Sequence, residues 1–366
     1  MRYLVNPFRR HATPLAVPST GVRGFHRTLP GYRPTPLRDL PGLASELGIG
    51  RLLLKDEGAR LGLAAFKVLG VSWAIDRLLR DGMRATTLSS ATAGNHGRAL
   101  AWSARQRGLR AVVFIPANSA PARVQAIRAE GAEVVLVDGS YEDAVDRCTV
   151  DSAAAGWQVM ADVGYPGYME IPSWISEGYG TIFEEVTEDL AASGEPPPDV
   201  AVVQGGVGGL AAAVVLHAAR WSPPARVLVV EPEEADCLLA SASAPEGVPT
   251  DSRGTGQTVL AGLNCSRVSL AAWPSIRAGA DAFLSVSDAL ALQAIRRLAT
   301  PTEPDPRVVA GESGAAGVAG LMALTQPAFA ELRRDLALNA RSRVLVVSTE
   351  GATDPAHWSR VVGAAP

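Results

Sequence analysis

An α/β fold is predicted, two-lobed, with mostly parallel sheets flanked by helices. Short runs rich in Val, Ile and Leu recur along the chain, helix-length segments stand between them, and glycine turns follow some of the runs. A strand that is apolar on both faces must be covered above and below, and crossover helices of a parallel sheet do this.

In chain order the first helical pattern is GLAAFKVLGVSWAI, Gly62 to Ile75, in which one cation, Lys67, interrupts apolar positions at helical spacing. The turn SSATAGNHG, Ser89 to Gly97, opens a helix over Gly94 to Gly108; RAVVFIP, Arg110 to Pro116, is a strand. SAPARVQAIRAEG, Ser119 to Gly131, is a helix and EVVLVD, Glu133 to Asp138, a strand. Gly108 and Gly131 serve as stops, because glycine enters the left-handed conformation that ends a helix. GEPPPD, Gly194 to Asp199, reads as a stiff linker. DVAVVQ (Asp199 to Gln204), RVLVVEP (Arg226 to Pro232) and RVLVVST (Arg343 to Thr349) are strands, and SDALALQAIRRLA (Ser287 to Ala299) is a helix capped by Ser287.

With 366 residues the chain exceeds what one core usually organises, so two lobes are expected. A net charge of -3 with 19% charged residues leaves no footprint for nucleic acid or an anionic membrane, and small metabolites are the expected partners. No run offers the roughly 20 uninterrupted apolar residues of a membrane span, which predicts a soluble protein. Cys148, Cys237 and Cys265 are odd in number and form no CxxC pair, so reduced, cytoplasmic thiols without a role are expected, and no metal site.

Three elements carry chemistry. The strand, turn and helix DVAVVQGGVGGLAAAVV present bare amides at a helix N-terminus, an anion site. Gly206, Gly208 and Ala211 also fit the GxGxxG/A spacing, with Glu231 about 20 residues on, so a nicotinamide dehydrogenase is a rival. The SSATAGNHG turn suits a carboxylate and Asn95 a phenolic oxygen, while His96 reads as a packing residue. Lys67, if held against apolar neighbours, would lose its charge readily and serve as an amine nucleophile. Two anion cradles and a carbonyl-reactive amine together accommodate pyridoxal 5'-phosphate and an amino acid.

YRPTPL (Tyr32 to Leu37), LLLKDEGARLGLAAFKVLG (Leu52 to Gly70), AGNHG, QGGVGG, GESGAAG (Gly311 to Gly317) and STEGATD (Ser348 to Asp354) resemble, in order, the second fold type of pyridoxal-phosphate enzymes. IPSWISEGYGTIFEE (Ile171 to Glu185) and TVLAGLNC (Thr258 to Cys265) are similar to segments of its diaminopropionate ammonia-lyase subfamily. The resemblance implies that Lys67 holds the cofactor aldehyde, Asn95 its ring hydroxyl, and Gly205, Gly206, Val207, Gly208 and Gly209 its phosphate. It places Thr349, or Ser348, at the pyridine nitrogen, and Glu312 near the cofactor unless that acid only favours a helix N-terminus. Ser90, Ala91, Thr92, Ala93 and Gly94 would receive the substrate carboxylate, and Asp162 a β-ammonium, unless it is a polar turn residue.

The implied activity is β-elimination of an amino acid, L-2,3-diaminopropionate first and L-serine or L-threonine second, by a homodimer. The subfamily's aspartate before GNHG is Ala93 here, as in the dehydratases, which implies action on L-substrates only or on another substrate; a catalytically silent relative is a further alternative. Tyr165 replaces an expected tryptophan in the pocket wall. The implied division is a large domain of residues 1–84 and 163–366 and a smaller mobile one of residues 85–162.

Overall fold

The computed structural model describes residues 1–9, 20–92 and 94–366. Among them the strands are β1 (Tyr3–Val5), β2 (Leu37–Asp39), β3 (Arg51–Asp56), β4 (Thr87–Ala91), β5 (Arg110–Pro116) and β6 (Glu133–Val137). Then follow β7 (Gln158–Val159), β8 (Val200–Gln204), β9 (Arg226–Pro232), β10 (Ala282–Val286) and β11 (Arg343–Ser348). They form a seven-stranded sheet, in the order β1-β10-β9-β8-β11-β3-β2, and a four-stranded sheet, β6-β5-β4-β7. Pairing is parallel throughout except at the edges β1 and β2, which are antiparallel and only three residues long. Short edge strands offer little template for pairing with another chain.

The continuous apolar runs are explained by two-sided burial. On β8, Ala201 and Val203 pack into one core while Val200 and Val202 pack into the other; Leu345 and Val347 of β11 oppose Val344 and Val346 in the same way. The helices Lys67–Arg80 and Gly209–Ala218 cover the first face, and Asp288–Ala299 and Ala316–Ala323 the second.

GEPPPD joins the helix Gly180–Ala192 to β8, so its prolines stiffen a helix-to-strand connection. The helical pattern over Gly62 to Ile75 also starts later than expected. Leu61 and Ala64 adopt φ of 50° and 57°, which no α-helix accepts, and the helix begins at Lys67.

The segment before it is anchored by a set of buried charges. Lys55 Nζ lies 2.8 Å from Glu185 Oε2, and Arg60 reaches Glu185 Oε1 and Glu57 Oε1 at 2.7 Å each, all four side chains being fully buried. Tyr32 and Thr35 donate hydroxyl hydrogen bonds to Glu185 and Glu57 at 2.7 and 2.6 Å. Farther on, the lysine helix meets the helix Glu170–Gly178 backbone to backbone. A Cβ on Gly70 would lie 2.6 Å from Ile175 O, and one on Gly178 2.5 Å from Leu69 O.

Candidate active site

Loops from the carboxyl ends of β3, β8 and β11 in the large sheet and of β4 and β7 in the small one converge, as parallel α/β sheets favour for ligand sites. After β3 the chain docks on the end of β11: Ala65 bridges Glu350, and Phe66 N donates to Thr349 O at 3.2 Å. Lys67 therefore emerges at the first turn of its helix instead of on an exposed flank.

Its amine lies 2.7 Å from Asp162 Oδ2, between the rings of Phe66 and Tyr179 at 5.5 and 5.9 Å from their centroids. Burial opposes the charge on Lys67, but the carboxylate of Asp162 outweighs it and raises the pKa. The expectation that apolar neighbours make this amine lose its charge readily is thus corrected: Asp162 holds it as an ammonium. Burial would likewise raise the Asp162 carboxyl, and Lys67, followed by His96, keeps it well below the usual range. Tyr168 braces the segment carrying Asp162, accepting from Ala161 N at 2.9 Å and donating to Val159 O at 3.0 Å. Tyr165 stacks on Tyr168 and is half exposed.

His96 is more than a packing residue. Its Nε2 donates to Met160 O at 2.7 Å, which leaves Nδ1 buried, unpartnered among the described residues and 3.9 Å from Asp162 Oδ2. Burial lowers its pKa. Asn95 opens the helix Asn95–Gln106, and its Nδ2 donates to Glu350 Oε2.

Sequence reasoning missed Glu350. It accepts from Ser313 N at 3.0 Å, and burial, then the nearby Glu312, raises its pKa. Glu312 is itself buried, 3.3 Å from His357 Nε2, and precedes the helix Ala316–Ala323 without capping it by a hydrogen bond.

Gly205 to Gly209 connect β8 to the helix Gly209–Ala218, with Gly208 at φ 106°. A Cβ on Gly205 would lie 2.7 Å from Leu238 Cδ1, and one on Gly208 2.6 Å from Ile276 Cδ1. The helix has no side-chain cap, and among the described residues the amides of Gly206, Gly208 and Gly209 donate to no protein acceptor. Val207 O accepts from Ser269 N at 2.8 Å. The Cys265 thiol stands beside Gly206 and burial pushes it up to about 12, in keeping with an inert thiol. Glu231 cannot serve a ribose. It is fully buried, and its two oxygens accept from Leu238 N and Leu239 N at 2.8 Å each. The dehydrogenase reading loses its acid.

Strand alternation carries Ser348 to the face of Val344 and Val346, against Gly314, while Thr349 lies beyond the strand beside Phe66. At the other turn Ser90 is buried, Ala91 O accepts from Tyr141 OH at 3.2 Å, Thr92 N donates to Phe114 O, and Gly94 N donates to Thr92 Oγ1. Ala93 lies outside the described residues. The described amides of Thr92 and Gly94 are thus already engaged within the protein, whereas those of the glycine loop are open beside a half-buried amine and carboxylate, an arrangement able to hold an anionic carbonyl compound.

Residues 28–350 match the family of pyridoxal-phosphate dependent enzymes. A diaminopropionate ammonia-lyase of Escherichia coli strain K12 is 38% identical over 364 residues, covering 93% of this chain and 90% of that protein. The biosynthetic L-threonine dehydratase of the same organism is 28% identical over 287 residues, 78% of this chain and 52% of that one. A crystal structure of the Escherichia coli diaminopropionate ammonia lyase, in complex with an aminoacrylate-PLP azomethine reaction intermediate, superposes with a TM-score of 0.91 at 36% identity, covering 99% of this chain and 96% of the other. Among the described residues no helix is long and apolar enough to cross a membrane. By its sequence, its two mostly parallel sheets and its superposition on a solved relative, this chain belongs to the pyridoxal-phosphate-dependent enzymes of the second fold type.

Proposed function

We propose that the protein converts L-2,3-diaminopropionate and one water to pyruvate and two ammonia molecules, by β-elimination followed by hydrolysis of the released imine. The observation that carries this reading is the 2.7 Å pair of Lys67 Nζ and Asp162 Oδ2, an amine able to hold an aldehyde beside a carboxylate able to bind an ammonium. The cofactor fits the residues present, because the free amides of Gly206, Gly208 and Gly209 at an uncapped helix favour a phosphate. Lys67 would hold its aldehyde, Asn95 its ring hydroxyl, Gly205 to Gly209 its phosphate, and Thr349, with Ser348 as the alternative, its ring nitrogen. Glu312 would stand behind Glu350 at its rim. Bound there, pyridoxal phosphate supplies an electron sink for the pair released at the substrate α-carbon.

The turn of Ser90, Ala91, Thr92, Ala93 and Gly94 receives the α-carboxylate, and Asp162 holds the β-ammonium. Lys67 Nζ, released as a neutral amine when the substrate amine takes its place, would accept the proton of the α-carbon. Pairing with Asp162 keeps the β-nitrogen protonated, so it departs as ammonia. Residues 85–162 act as the mobile lobe that closes on residues 1–84 and 163–366 and excludes water. The protein works as a cytoplasmic homodimer; the family resemblance and three unpaired cysteines support this, and sedimentation velocity tests the dimer.

The assay is release of oxo acid from L- and D-diaminopropionate, L-serine and L-threonine. Release from L-diaminopropionate is expected; release from serine or threonine alone overturns the substrate while keeping the family. Lys67→Ala lowers turnover at least about a thousandfold.

A further inference from the structure

Tyr179 is 1% exposed, and its buried hydroxyl makes no hydrogen bond of normal geometry among the described residues, although the Lys67 amine lies near enough to pull on it. Buried phenols normally find one, so an unpaired hydroxyl beside a ligand site points to a group that completes it. The ring is wedged between the first turns of two helices. A Cβ on Gly70 would lie 2.6 Å from Tyr179 Cε1, and one on Gly209 3.3 Å from Cε2. Those helices, Lys67–Arg80 and Gly209–Ala218, both lack a side-chain cap at their N-termini. Three residues earlier on the same helical face, Ser176 Oγ is 3.1 Å from the position a Cβ of Gly209 would take. Lys67 Nζ is 5.9 Å from the Tyr179 ring centroid.

Each of these groups favours an anion: two helix N-termini, one ammonium and two hydroxyl donors. Burial pushes the Tyr179 phenol up to about 12 against the opposing pull of Lys67, so it remains a donor at neutral pH. We propose that the hydroxyls of Tyr179 and Ser176 form the side-chain half of a phosphate cradle whose main-chain half is Gly205 to Gly209. The anion taken is a phosphate monoester, the 5'-phosphate of the cofactor, and this rests on the pyridoxal-phosphate reading.

The test is cofactor affinity, not turnover. Protein stripped of cofactor is titrated with pyridoxal 5'-phosphate, with 5'-deoxypyridoxal, which keeps the ring and aldehyde but has no phosphate, and with inorganic phosphate as competitor, followed by tryptophan fluorescence. Tyr179→Phe keeps the ring that packs on Gly70 and Gly209, and Ser176→Ala removes the second donor without touching the first. Tyr179→Phe is expected to weaken pyridoxal 5'-phosphate about tenfold or more, with 5'-deoxypyridoxal unchanged and competition by phosphate weakened in step. Ser176→Ala shows the same selectivity to a smaller degree. Equal affinity of the wild type and Tyr179→Phe for pyridoxal 5'-phosphate, or an equal loss for both aldehydes, overturns the proposal while sparing the cofactor. A wild-type protein that takes up neither aldehyde overturns both.

Discussion

Lys67 and Asp162 fix each other's protonation, so each determines the pH at which the other works. Asp162→Asn removes the charge that keeps the Lys67 proton affinity high and leaves burial, which acts the other way, unopposed. The pH midpoint for aldehyde capture, followed by absorbance, therefore moves down in this variant, and an unmoved midpoint refutes the coupling. His26 carries a prediction about stability. It is fully buried, its Nε2 donates to Leu69 O at 2.8 Å, its Nδ1 accepts from Thr181 Oγ1 at 2.6 Å, and burial pushes its pKa down to about 4. The unfolded chain binds a proton at this histidine near pH 6.5 while the folded one refuses it, so stability falls from about pH 6.5 down to about pH 4, by about 3 kcal/mol. His96 and His217, also lowered by burial, add to this limb. Urea unfolding at pH 7.5 and pH 5 checks it, with His26→Gln losing less between the two than the wild type. Lys67 was legible in the sequence because a cation among apolar residues is conspicuous. Glu350 was not, because its partner Asn95 is 255 residues away and only the fold brings them together.

The contact of the helices Lys67–Arg80 and Glu170–Gly178 depends on two glycines. Gly178→Ala would drive a methyl group into the backbone at Leu69 and Gly70, costing roughly 1–3 kcal/mol by overpacking and displacing Tyr179 with the helix end. The expected result is a lower thermal midpoint together with weaker cofactor binding; an unchanged midpoint contradicts the close crossing. Elements with two buried faces were readable: the runs at Arg110–Pro116 and Arg226–Pro232 match β5 and β9 end to end. The edge strands β1 and β2 and the two-residue β7 were not read, because so short a run is made a strand by its partner. Nor were β3, β4 and β10, because Lys55, Ser89, Ser90 and Ser285 interrupt their apolar runs. The start of the lysine helix was unreadable for a related reason. Leu61 and Ala64 hold left-handed conformations, normally left to glycine, which the surrounding contacts impose.

At the scale of the molecule, the site draws its groups from both sheets, with Lys67 and the glycine loop on one side and Asn95 and Asp162 on the other. The closure proposed for residues 85–162 should appear as slower amide exchange at Ser90–Asn95 when the loaded enzyme receives α-methyl-diaminopropionate, which has no α-proton to lose. Unchanged exchange argues for a site rigid from the start. The two-lobed outline was legible from length and from the alternation of runs, whereas the joining of the sheets at one cleft was not, since it depends on pairings between distant strands. Lys55, Glu57, Arg60 and Glu185 carry a restriction of another kind. Losing any one of them strands an opposite charge in the interior at about 3–5 kcal/mol, so descendants of this chain can abandon the quartet only by exchanging several members at once. Two separate stretches of the sequence are thereby tied into a single heritable unit, and divergence there should come in rare, concerted jumps.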